Sequence, residues 1–267
     1  MLHSGHPVTW SAWHFEPTAV GIAFVVLGLY VAGLRHAGAP FEAWRPAAFL
    51  AGGGLMLAAL LSPLDAASDR LLSMHMLQHV FLTSIGPPLV LLGIPAQTLR
   101  WLLPQGSPGF KAAALLTMPF VAAAAFILNM WLWHIPPIYE AALTDLNVHV
   151  AMHVAFMATG LLFWWPIVAP YPELSTAGPG ARLLYLFVSG FPMGLLALLL
   201  LSSEVIIYDF YQDQPSRLWG LSALEDQQIA GVIMGSLGEV ASFVAFTLIF
   251  VRYFLTDREE LGITPNA

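Results

Sequence analysis

The chain has no cysteine among its 267 residues. That absence excludes disulfides, thiolate metal ligands and cysteine nucleophiles. Charge is nearly as scarce. Only 9% of residues are Asp, Glu, Lys or Arg, against about 25% in a typical soluble domain. With 58% of residues hydrophobic, too little polar side chain remains to cover a water-exposed surface, and the lipid bilayer is the expected solvent. Lysine occurs once, at Lys111, and the formal net charge is −7. No basic patch exists to neutralise phosphates, so nucleic acid is not an expected partner. The opening MLHSGHPVTWSAWHFEP has no Lys or Arg and no short apolar core before a small-residue cleavage site. It reads as a short tail and not as a cleavable signal.

What is present is long apolar runs. A spanning helix needs about 17–25 mostly apolar residues. Seven windows qualify: Thr18–Leu34, Ala47–Leu64, Met74–Leu92, Ala112–Trp133, His149–Ile167, Ala181–Leu201 and Gln228–Phe254. The expected fold is all-α, a polytopic seven-transmembrane-helix bundle spanning 18–254, between an external tail at 1–17 and a cytoplasmic tail at 255–267. Positive charge orients it. Arg35, Arg45, Arg100, Lys111, Arg182, Arg252 and Arg258 sort to one side, leaving Arg70 and Arg217 on the other. The N-terminus is therefore expected outside and the C-terminus in the cytoplasm. Pro87-Pro88 and Pro192 are expected to kink their helices or open local cavities.

Eight of the nine histidines then fall on the outer side. His3, His6 and His14 lie in the tail; His75 and His79 open the third span, His134 closes the fourth, and His149 and His153 open the fifth. The pairs His75/His79 and His149/His153 are each i,i+4, so each projects from one helix face about one turn apart. Two such pairs at one depth, with His134 nearby, can surround a common point, as metal sites between bundle helices do. Imidazole suits Zn, Cu, Fe and Ni, and thioether adds a preference for Cu(I). Met74, Met76 and Met234 are candidate further ligands. Gln78, Asp226 and Gln227 are candidate ligands or orienting partners of the imidazoles. For Gln78 or Gln227 alone a hydrogen bond between helices is the simpler account, and for any one methionine ordinary core filling is. Glu239, deep in the seventh span, fits a proton relay, a metal contact or a hydrogen bond to a neighbouring helix equally well.

Four segments carry a resemblance: HMLQHVFLTSIGPPLVLLGIP (75–95), WLWHIPPIYEAAL (131–143), HVAMHVAFMATGLLFWWPI (149–167) and DQQIAGVIM (226–234). In sequence and order they resemble the signature blocks of the CtaG family of cytochrome c oxidase assembly factors, in its polytopic, Gram-positive-type form. The resemblance spans most of 60–255. It implies about seven spans in a bacterial plasma membrane, a non-enzymatic role in oxidase maturation at the copper centres, and cytochrome c oxidase subunits as partners. Matching positions are His75, Gln78, His79, Trp133, His134, Tyr139, His149, His153, Asp226, Gln227 and Met234. After Met234 the chain reads GSLGE, where the family more often has an aromatic residue and Pro-Gly.

The leading expectation is a copper-binding or copper-delivering assembly factor with a His-rich site at the outer face and no catalytic residues. The alternative is an intramembrane zinc-dependent hydrolase, with three histidines, a metal-bound water and a carboxylate such as Asp65 or Asp226. Haem held by two axial histidines, and a scaffold without cofactor, stay open beside them.

Overall fold

The structure, a computed structural model, describes residues 9, 13, 15–36, 38, 42–175, 177–214 and 218–260, the side chains of 256–260 excepted. His3, His6, His14, Arg217 and the Arg258 side chain lie outside the described residues. Among the described residues every regular element is helical. Helices α1 (Pro17–His36) and α2 (Trp44–Leu61) precede a short α3 (Pro63–Ser68). The next long helix has three parts: α4 (Leu72–Val80), a π-helical turn at Phe81–Ile85, and α5 (Gly86–Gly93). There follow α6 (Ala96–Leu102), α7 (Pro108–Leu116), α8 (Pro119–Trp133), α9 (Pro136–Thr144) and α10 (Leu146–Val168). Then come α11 (Pro179–Ser202), α12 (Asp209–Gln212), α13 (Ala223–Gly235) and α14 (Leu237–Glu260).

Six of these segments are long and apolar enough to cross a membrane: 17–36, 44–61, 72–93, 146–168, 179–202 and 223–255. Large apolar side chains lie exposed along their outer faces, among them Phe24, Phe191 and Leu248. In a bilayer such residues meet lipid, and the chain is a multi-pass membrane protein.

The window Ala112–Trp133 is not one straight helix. It breaks between α7 and α8 with a bend of 68°. Pro119 supplies the cause, because its ring disfavours helical geometry at the preceding residue. Met118 accordingly sits at φ −57°, ψ 132°. The 15 residues of α8 reach about 22 Å, short of the roughly 30 Å hydrocarbon core. A similar rule moves the second helix. Ser62 is extended ahead of Pro63, so α2 ends at Leu61, starting three residues before the expected window. The last window begins earlier as well, at Ala223, where Ser222 and Glu225 form a reciprocal capping box. Pro192 lies inside an unbroken α11.

The segment 72–93 is the axis of the bundle: 56% of its apolar window is buried, against 11% for α1. Two devices hold it. At its first turn Leu71 offers no side-chain cap. Asp226, on α13, accepts hydrogen bonds from Leu72 N (2.7 Å), Ser73 N (3.1 Å) and Ser73 Oγ (2.5 Å). A carboxylate at a helix N-terminus satisfies orphan N–H groups and complements the helix dipole. In the middle, Pro87 has no N–H to give the carbonyl of Thr83. Trp164 of α10 takes that carbonyl instead, donating its indole N–H to Thr83 O at 3.1 Å. The double proline is thus absorbed by a π-helical turn and a side-chain partner. Below it α5 runs against α2 at backbone contact. A Cβ on Gly52 would stand 2.6 Å from Gly86 O.

Candidate metal centre

The five expected histidines come from three parts of the chain and meet at one end of the bundle. His75 and His79 project from α4, His149 and His153 from the first turns of α10, and His134 closes α8. All five are buried, His75 completely. The ring centroids of His75 and His79 are 4.3 Å apart, those of His149 and His153 also 4.3 Å. Between helices, His75 to His153 is 6.2 Å, His79 to His153 6.0 Å, and His79 to His134 6.3 Å.

Within this group His75, His79 and His153 form the tight set. Each offers a ring nitrogen, and those nitrogens all lie within 4.8 Å of one another. No carboxylate belongs to that set. His134 and His149 flank it. Each turns Nδ1 to a backbone carbonyl, His134 to Met130 O at 2.6 Å and His149 to Ala142 O at 3.2 Å. A carbonyl only accepts, so both rings carry the proton on Nδ1 and keep a lone pair on Nε2.

A roof of tyrosines, contributed by α9, α12 and the residue before α12, closes this end. Tyr211 hydroxyl donates to Ser68 O at 3.0 Å. Its lone pairs then face Tyr139 OH at 3.1 Å and His75 Nδ1 at 3.2 Å. With its one proton spent on Ser68, Tyr211 accepts from His75 Nδ1–H, which leaves the His75 lone pair on Nε2. Burial pushes both the Tyr139 and Tyr211 phenols well above their ordinary range, so each stays a neutral hydroxyl. Tyr208 hydroxyl donates to His134 O at 3.0 Å.

The nitrogens left over are informative. His75 Nε2, both ring nitrogens of His79, His134 Nε2 and His153 Nε2 are buried with no hydrogen-bond partner in the protein. Nearly all buried polar atoms in folded proteins are paired, and a cluster of exceptions calls for a cause. Lone pairs converging from neutral imidazoles are what a Lewis-acidic ion requires.

The other expected site residues take supporting places. Gln78 donates its amide to Ala59 O (2.9 Å) and to Asp65 Oδ1 (2.6 Å), tying α4 to α2 and α3. Asp65 is itself buried, which raises its carboxyl to about 7; the Gln78 bond pulls the other way and nearby Asp69 adds to the rise. Asp226 has both oxygens engaged in the cap of α4. Gln227 accepts from Ile207 N (2.7 Å) and donates to Val205 O (3.0 Å), fixing the loop that leads to Tyr208 and Tyr211. Met74 is half-buried beside the pair on α4. Met76 and Met234 line a cavity of about 40 Å³ whose wall includes His79 and, further along the chain, Glu239. Tyr208 and Tyr211 went unrecognised in the sequence, where their i,i+3 spacing in YDFYQ was the available signal.

Comparison with known proteins agrees with this picture at the level of family. Residues 28–255 match the family described as cytochrome c oxidase caa3 assembly factor (Caa3_CtaG). Uncharacterized proteins of Mycobacterium bovis and Mycobacterium tuberculosis are each 25% identical over 268 residues, covering 93% of this chain and 40% of the relative. A Mycobacterium leprae protein is 25% identical over 266 residues, covering 92% and 40%. The chain thus spans about two-fifths of the length of the curated relatives it matches. No solved structure matches it. Together the matched span, the buried histidines and the membrane helices lead to one conclusion: the chain belongs to the CtaG family of cytochrome c oxidase caa3 assembly factors.

Proposed function

We propose that this protein holds copper on His75, His79 and His153 at the outer face of a bacterial plasma membrane and delivers it to subunits of cytochrome c oxidase. One observation carries the reading: three imidazoles from two helices offer nitrogens within 4.8 Å of one another, and each has a buried nitrogen with no partner in the protein. A first-row ion bound at about 2.0 Å from each nitrogen draws three of them to about 3.4 Å apart. Small rotations of the side chains cover that difference. Copper here is cargo. Neutral imidazoles without thiolate give exchangeable ligation, which transfer requires. His134, with a free lone pair 6.3 Å in ring separation from His79, is the natural next donor as the ion moves on.

The orientation rests on charge. Arg35, Arg45, Arg100, Lys111, Arg182 and Arg252 occur at the helix ends remote from His75, if α7 and α8 together make one crossing. On that count of seven spans, the positive-inside rule supports an N-terminus outside, a C-terminus in the cytoplasm and imidazoles near the outer surface.

A zinc-dependent hydrolase built on the same imidazoles has less support. Such a site needs a free carboxylate or other base beside a metal-bound water. Asp226 is committed to the cap of α4, and Asp65 is engaged by Gln78. The cavity beside His79, at about 40 Å³, is also far below the roughly 300–1,000 Å³ of an organic substrate pocket. Replacing His75 and His79 together by Ala tests the proposal. Copper retained by the purified protein and active oxidase in the membrane are both expected to fall. Normal oxidase with this variant at wild-type abundance contradicts copper delivery.

A further inference from the structure

The cavity bordering His79 has a composition that the imidazole set does not explain. Four of its lining residues are methionines, Met76, Met130, Met193 and Met234, drawn from four different helices. Glu239, near the start of α14, is the acidic residue among its walls, with Ser242 one turn further on. Methionine commonly fills irregular gaps in a core, but four of them from four helices also bring four polarizable thioether side chains to the wall of one small space. His79 is the shared wall. It is 3% exposed, and both its ring nitrogens lack a protein partner, whereas the imidazole set needs only one of them.

From this we infer a second cation site: the methionine-lined cavity takes a soft monovalent ion, Cu(I), next to the imidazole set and exchanges it with His79. The inference rests on the imidazole reading for the destination of the ion, though not for its binding in the cavity.

Size, softness and charge each limit the occupant. A volume of about 40 Å³ holds about three waters at roughly 10–15 Å³ each. That is room for a dehydrated ion and no organic ligand. Thioether donors select Cu(I) over the harder divalent ions. Beside Thr83, Ser84, Ser189 and Ser242 a single carboxylate lines the cavity and balances one positive charge; an unbalanced charge inside a span is costly. His79 gives the ion a nitrogen to move to without passing through apolar packing.

Silver(I), which shares the closed-shell configuration and soft-ligand preference of Cu(I), is the probe, with Zn(II) reporting the imidazole set. The full chain is used with His3, His6 and His14 replaced by Ala, which removes the N-terminal imidazoles from the count. Isothermal titration is expected to show one more equivalent of Ag(I) than of Zn(II). Replacing Met76, Met130, Met193 and Met234 together by Leu, a swap that keeps volume, should abolish that extra equivalent. Zn(II) binding should be retained, and this also reports an intact fold. His153→Ala should do the reverse, losing Zn(II) and keeping the extra Ag(I). Silver–sulfur scattering in X-ray absorption, lost with the Leu variant, is the matching spectroscopic result. An unchanged count of Ag(I) in the Leu variant overturns the second site. So does a single Ag(I) equivalent that His153→Ala removes. Extra Ag(I) without any Zn(II) binding sustains the cavity site and instead removes the imidazole reading.

Discussion

The two halves of the helix at 72–93 solve opposite problems, and the first is the more deeply buried. In the first half, α4 buries His75, Gln78 and His79, and its N-terminus is capped by a carboxylate from α13. In the second half, α5 buries glycine and proline against neighbouring backbone. A Cβ on Gly93 would sit 2.5 Å from Phe49 N, as one on Gly52 would approach Gly86 O. Close approach of this kind holds membrane helices together where no hydrophobic effect acts between them. The first half gives up such packing and keeps nitrogens that the protein itself leaves unpaired, at real energetic cost. Close backbone packing is concentrated in the glycine half and unpartnered nitrogens in the histidine half.

Substitutions should separate the two halves. Gly52→Val strikes the glycine half. Its new Cβ meets Gly86 O at 2.6 Å and Val90 N at 2.8 Å, backbone atoms that cannot turn aside. Overpacking of this sort costs about 3 kcal/mol or more, so little folded protein should survive size-exclusion chromatography. A Gly52→Val protein with the wild-type melting temperature breaks the comparison.

A smaller effect belongs beside the histidine half, at Asp65. Its carboxyl, raised from 3.8 to about 7 by burial, is protonated in the folded protein where the unfolded chain is already ionised. The folded state therefore binds the extra proton. Its stability is full below the ordinary carboxyl value, falls as pH rises towards 7, and levels off above it. Asp65→Asn should flatten the melting temperature over that window. An unchanged slope in the Asn variant removes Asp65 from the account.

The smallest change in stability is expected at Tyr211. Tyr211→Phe loses the hydroxyl that accepts from His75 Nδ1 and costs about 1 kcal/mol. Copper affinity should nonetheless fall about 10-fold, as for other partners that orient metal-binding imidazoles. Equal copper affinity in the Phe variant shows that the hydroxyl does not position His75.

How far the sequence foretold all this differs between the same two halves. The i,i+4 pairs were legible because helical periodicity alone puts His75 with His79 and His149 with His153. Their convergence was not, since helix order around a bundle leaves no trace in spacing. The cap on α4 joins Leu72 to Asp226 across 154 residues, beyond any local signal. Asp226 therefore read as a possible ligand or orienting partner, and its oxygens hold the first turn of the helix that carries His75 and His79. The break before Pro119 was readable in principle, but the apolar run through Ala112–Trp133 masked it. Pro87-Pro88 was legible as a disturbance, though not as one that Trp164 repairs. Nothing in the run Gly52-Gly53-Gly54 singles out Gly52, the one of the three that proves to be a contact surface.

Copper delivery as proposed depends most on His75, His79 and His153 sharing one ion. X-ray absorption at the copper edge of the copper-loaded full chain addresses that directly. The expected spectrum shows imidazole scattering from about three nitrogens near 2.0 Å, lost together with the bound copper when His79 and His153 are replaced by Ala. Copper that binds the doubly substituted protein with unchanged affinity, or a wild-type spectrum without imidazole scattering, contradicts it.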